Sequence, residues 1–144
     1  MSAIRNNVLM FATVGLMAIG GCATTGGSLT GSASRLEKTA YALQDEARDD
    51  GARSGFQRDA RELAEEARDF RRTVEDRSSS KEDVHDAFGS VSRRYHAMRD
   101  EVERSRSREA DSEFRPVTEA YLDVEREMRS RDGRRDRDRY SSND

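Results

Sequence analysis

Val84-His85-Asp86-Ala87-Phe88-Gly89-Ser90-Val91-Ser92-Arg93-Arg94-Tyr95-His96-Ala97-Met98-Arg99-Asp100-Glu101-Val102 decides the fold class. Val84, Phe88, Val91, Tyr95, Met98 and Val102 recur at spacings of 4, 3, 4, 3 and 4. An α-helix turns once in 3.6 residues, so this alternation gathers all six on one stripe. A strand needs a period of two, and no Val/Ile/Thr-rich stretch of that kind occurs in the chain. The intervening positions are mostly Arg, Asp, Glu and Ser, which suits a solvated face.

The same stripe appears three more times. One is Leu36, Ala40, Leu43 and Ala47; another is Phe56, Ala60, Leu63, Ala67, Phe70 and Val74. The last is Ala110, Phe114, Val117, Tyr121, Val124 and Met128. Helix-ending chemistry separates them. Gly51 and Gly55 close the first gap, and Ser79 with Glu82 three residues on predicts a capping box in the second. Ser105-Arg106-Ser107-Arg108 breaks the third, and Pro116 falls early in the last segment, where the first turn can spare its missing N–H; a helix beginning well before Asp111 would instead be kinked there. The expected fold is all-α: an antiparallel, up-down-up-down four-helix bundle over residues 35–130. A three-helix bundle with one long kinked element and an oligomeric coiled coil are the alternatives.

The chain has 144 residues, 38% of them charged and only 33% hydrophobic, with one Cys and no Trp. One Cys excludes an internal disulfide framework and any multi-cysteine metal cluster. The apolar material is unevenly spread. Residues 8–19 carry no charge, and they follow a short polar segment whose single charge is Arg5. That run is too short for a bilayer-spanning helix of roughly 20 residues, and it has the length of a signal-peptide apolar core. Gly20, Gly21 and the lone Cys22 follow directly.

Ile19-Gly20-Gly21-Cys22 resembles the lipobox of bacterial lipoproteins. The resemblance covers residues 1–22. It implies that Cys22 receives a diacylglyceryl group, that a signal peptidase cuts between Gly21 and Cys22, and that the new amino terminus is acylated. Residues 1–21 are then a cleaved leader, and the mature protein is anchored to a membrane through acylated Cys22. Several acyl chains would hold it essentially permanently, since each buried methylene contributes about 0.8 kcal/mol. In enteric-type sorting an Asp after the Cys retains a lipoprotein in the inner membrane. Ala23 therefore implies the outer membrane, with the protein facing the periplasm.

Loss of the leader removes one basic residue, Arg5, and moves the net charge from −3 to −4. Residues 22–34 comprise the lipidated Cys and a Gly/Ser/Thr-rich segment expected to be a flexible tether, with an r.m.s. span on the order of 20 Å. Residues 131–144 are expected to be a disordered Arg/Asp-rich tail. Four antiparallel helices put both ends of the bundle on one side, so this tail would lie beside the membrane. Arg129, Arg131, Arg134, Arg135, Arg137 and Arg139 are candidate contacts for anionic lipid headgroups. Nucleic acid is not an expected partner: the body of the chain is acidic and its aromatics sit in the apolar stripes.

No catalytic, cofactor or metal site is expected. His85 and His96 fall on one predicted helix about 16 Å apart along its axis, too far to share an ion. Glu82-Asp83-Val84-His85 holds one Glu-x-x-His, whereas a di-metal bundle needs two, and Arg93 stands where the second Glu would be. No nucleophile elbow, phosphate loop or His-Glu-x-x-His occurs. The reading is a non-enzymatic envelope lipoprotein that binds another envelope protein or peptidoglycan, or serves structurally. Alternatives are a periplasmic holdase chaperone and a homo-oligomeric coiled-coil spacer. The Leu-Thr-x-x-Gln motif of small envelope chaperones is missing. The chain ends in Asn143-Asp144, without the terminal Lys by which the murein lipoprotein family attaches to peptidoglycan.

Overall fold

Four α-helices follow one another in the computed structural model, which describes residues 28–49 and 54–141, with side chains through Asp132. They are α1 (Leu29–Asp49), α2 (Ser54–Glu75), α3 (Lys81–Ser105) and α4 (Arg108–Ser141). There is no strand among the described residues. Because α3 and α4 are separate helices, the three-helix alternative does not arise.

Cross-helix pairs fix the directions. Gln57 Nε2 on α2 donates to the Ala47 carbonyl of α1 at 3.1 Å, and Arg71 on α2 pairs with Glu37 on α1. Numbers fall on one helix as they rise on the other, so α1 and α2 are antiparallel. Arg94–Glu62 and Phe88–Phe70 give the same sense to α2 and α3. Lys81–Asp132 and Ser92–Tyr121 do so for α3 and α4, and Arg35–Asp123 returns α4 to α1. Each helix therefore touches its two neighbours in a closed square, with α1 against both α2 and α4. Most of these ion pairs are half exposed, where a pair contributes about 0–1 kcal/mol. Their main effect is to fix register.

The core is the four apolar stripes facing inward, buried within this single chain rather than left for a second one. Side-chain size sets the spacing. Ala40 and Ala47 on α1 meet Ala60, Ala64 and Ala67 on α2, all buried, and close backbone approaches are densest between these two helices. Between α3 and α4 the fillers are rings. Tyr95 stacks on Tyr121 at 3.9 Å between centroids and on Phe114 at 5.5 Å, and Phe88 stacks on Tyr121 at 5.8 Å. Those rings hold α3 and α4 apart, and close backbone approaches are sparsest there. The Tyr121 hydroxyl meets Ser92 Oγ at 2.7 Å, so the polar tip of a buried ring is satisfied.

The helix ends correct four expectations. First, α1 begins at Leu29, inside the stretch expected to be tether. Leu29 and Ala33 are buried, and Ser28 Oγ accepts the Gly31 N–H at 3.2 Å as an N-cap would. Leu29 and Ala33 continue the 4-3 spacing back from Leu36, so burial overrides the Gly/Ser composition. Second, the capping box is one residue later than expected. Ser80 caps α3, its Oγ accepting from the Asp83 N–H, while the Asp83 carboxylate accepts from the Ser80 N–H. Third, α4 starts at Arg108, which puts Pro116 beyond the first turn and leaves the Ser112 carbonyl without its helical partner. Fourth, residues 131–141, expected as disordered tail, continue α4 to Ser141.

Candidate functional site

The two antiparallel registers place the start of α1, the α2–α3 connection and the Met128–Asp132 turn of α4 at one end of the bundle. Glu37 is level with Arg71 and Arg35 with Asp123, so two turns back along α1 Leu29 is level with the α2–α3 connection and with the turn after Met128. The polypeptide leading from Cys22 enters here. Only five residues lie between Cys22 and Ser28. Fully extended, those six steps span about 20 Å, so this end stays close to residue 22.

The α2–α3 connection is rigidly built from short polar side chains. Asp76 Oδ1 accepts from the Ser78 N–H at 2.9 Å and from the Ser78 hydroxyl at 2.7 Å, and the Ser79 N–H donates to the Asp76 carbonyl at 3.1 Å. The Ser80–Asp83 capping box follows at once. Donation from Ser78 holds the Asp76 carboxyl below the ordinary carboxylate range, and bonding with Ser80 does the same for Asp83.

Asp132 ties α4 to this connection. Its Oδ1 is shielded from solvent and faces Lys81 Nζ at 2.5 Å and His85 Nε2 at 3.3 Å. The contact is an ion pair; Oδ1 has no well-directed hydrogen bond among the described residues. The Lys81 ammonium holds the Asp132 carboxyl below its ordinary range, with His85 adding to the effect. Beside this cluster a cleft of about 480 Å³ opens between α2, α3 and α4. Val74, Val84 and Met128 form its apolar part, and Arg77, Lys81 and Arg131 its cationic rim.

The predicted site residues divide three ways. Gly21 and Cys22 lie outside the described residues, as does the cleavage position between them. Arg129 is exposed and pairs with Glu125 at 2.8 Å, one turn back on α4, whereas Arg131 lines the cleft. Arg134, Arg135, Arg137 and Arg139 sit on the helical backbone of α4, with side chains outside the described residues. His85 is engaged with Asp132; His96 is exposed, its ring edge against Tyr95 and Tyr121. Among the described residues no helix is long and apolar enough to cross a membrane, and no group of three His, Cys, Asp or Glu is placed to hold a metal ion.

The cleft itself was missed by sequence reasoning. Its residues come from the ends of three helices, and only the register of the bundle brings them together. One signal was available: Val74, Val84 and Met128 are the outermost members of their stripes, and all three fall at the same end of an up-down-up-down bundle. No family model, curated protein or solved structure matches this chain.

Proposed function

We propose that this chain is an envelope lipoprotein, anchored in the outer membrane through acylated Cys22 and facing the periplasm. Its helical bundle has a non-catalytic role, binding an envelope partner or serving structurally. The observation that carries the reading is the coincidence of an uncharged run, residues 8–19, with Ile19-Gly20-Gly21-Cys22 immediately after it, at the only cysteine of the chain. The bundle is compatible with it: the first described residue, Ser28, follows Cys22 closely, and α4 extends from the same end with an Arg-rich sequence. Arginines there suit a surface of anionic headgroups.

Substitution of Cys22 tests the anchor. Cys22→Ser in the native host should abolish incorporation of labelled palmitate and leave the precursor uncleaved. Cleaved, soluble Cys22→Ser protein would overturn the lipoprotein reading. Ala23→Asp should move the protein from outer-membrane to inner-membrane fractions where enteric-type sorting operates. Crosslinking in living cells, read by mass spectrometry, identifies the partner of the bundle.

A further inference from the structure

The cleft between the ends of α2, α3 and α4 has the two halves of an amphipathic anion site. Val74, Val84 and Met128 supply apolar surface, while Arg77, Lys81 and Arg131 stand around it with one carboxylate, Asp76, which is turned to Ser78. Lys81 is partly neutralised by Asp132. Among the described residues neither Arg77 nor Arg131 takes part in an ion pair, so two guanidinium groups at this opening are left for a ligand. Guanidinium is the side chain best matched to the oxygens of a phosphate, through paired N–H donors. The volume, about 480 Å³, lies within the range of small-molecule pockets, roughly 300–1,000 Å³.

The geometry points to a binding site for the headgroup of an anionic phospholipid. The phosphate sits among Arg77, Lys81 and Arg131, and the glycerol with its first methylenes lies on Val74, Val84 and Met128. A zwitterionic headgroup would bring its own ammonium against a cleft whose charge stays positive, because Asp76 and the Asp132 partner of Lys81 offset only part of Arg77, Lys81 and Arg131, and it is disfavoured. The choice of a lipid over a free phosphate ester rests on the proposed anchor at Cys22, because the chain enters the bundle at this end. The site would give the protein a second hold on the membrane and set the orientation of the bundle on it, which an acyl chain on a short tether does not.

The experiment uses the purified full chain in non-ionic detergent. It is titrated with dihexanoyl-phosphatidylglycerol, dihexanoyl-phosphatidylcholine or glycerol 3-phosphate and followed by phosphorus NMR line broadening. Phosphatidylglycerol should bind saturably and at least tenfold more tightly than either of the others. The double variant Arg77→Glu/Arg131→Glu should weaken it at least tenfold, and Arg48→Glu/Arg108→Glu, at the opposite end of the bundle, should leave it unchanged. All four residues are exposed, and circular dichroism checks that each variant is folded; Arg77→Gln/Arg131→Gln replaces the first pair if charge reversal disturbs it. Equal binding of both lipids, or unchanged binding by the Arg77/Arg131 variants, would overturn the site. Glycerol 3-phosphate binding as tightly as phosphatidylglycerol would overturn the lipid and leave a soluble phosphate ester. Labelled palmitate at Cys22, measured separately, keeps the two proposals distinct: label without lipid binding removes the cleft alone, and lipid binding without label removes the anchor alone.

Discussion

Arg106 is the one described non-glycine residue in left-handed backbone, with φ at 52°. It ends α3, and its N–H donates to the Glu103 carbonyl at 3.4 Å. A side chain in that conformation costs roughly 1–2 kcal/mol, and glycine is the usual residue at such a helix end. Arg106→Gly is therefore expected to stabilise the protein by about 1 kcal/mol, read as a higher urea midpoint. Ser80 is the opposite case. Its hydroxyl satisfies the Asp83 N–H, an amide the helix itself leaves without a partner. Ser80→Ala should lower stability by about 1 kcal/mol, and the same urea titration checks it.

Two elements depart from what their sequences suggest, for different physical reasons. The Gly/Ser/Thr content before Arg35 argues for a coil, yet Leu29 and Ala33 are buried on the same stripe as Leu36 and Ala40. Helical stability in proteins comes mainly from packing an amphipathic face, and here two more buried positions extend α1 toward its N-terminus. In α4 the interior Pro116 removes a helical hydrogen bond without ending the helix, because Phe114, Val117, Ala120 and Tyr121 are all buried around it. Pro116→Ala restores the amide that Ser112 lacks. It should raise stability by about 1–3 kcal/mol, measured by thermal unfolding. The interior proline and glycines of this chain thus locate helix ends poorly, whereas the 4-3 spacing locates the buried face of each helix well.

For the whole molecule, three carboxylates held below their ordinary range lie at one end: Asp76, Asp83 and Asp132. Each binds a proton more readily unfolded than folded. Their stabilisation is complete above the ordinary Asp value of 3.8 and is lost as pH falls through the lower folded values. Melting temperature should therefore change little with these groups between pH 7 and 5 and drop below pH 4. Asp83→Asn, which cannot titrate, should make that acid slope shallower in circular dichroism melts at pH 2–7. Loosening would begin at the α2–α3 connection and the Asp132 contact, the end that carries the cleft.

The linear sequence determined the helical class, the four stripes and most of the core, because a 3.6-residue apolar period is written in the chain itself. It also carries the resemblance of Ile19-Gly20-Gly21-Cys22 to a lipobox, since a processing signal is read as extended sequence rather than as a fold. Tertiary structure alone decided which residues beyond the stripe are buried. Ala64 and Ala120 are enclosed because each helix faces two neighbours, which widens its apolar face past the narrow stripe. It alone decided the spacing of the helices, close where alanine meets alanine and wide where Tyr95 stacks on Tyr121. And it alone made the cleft, because Arg77 and Arg131 become neighbours only when α2 and α4 run in the same direction, toward the end where the first residues of α1 lie.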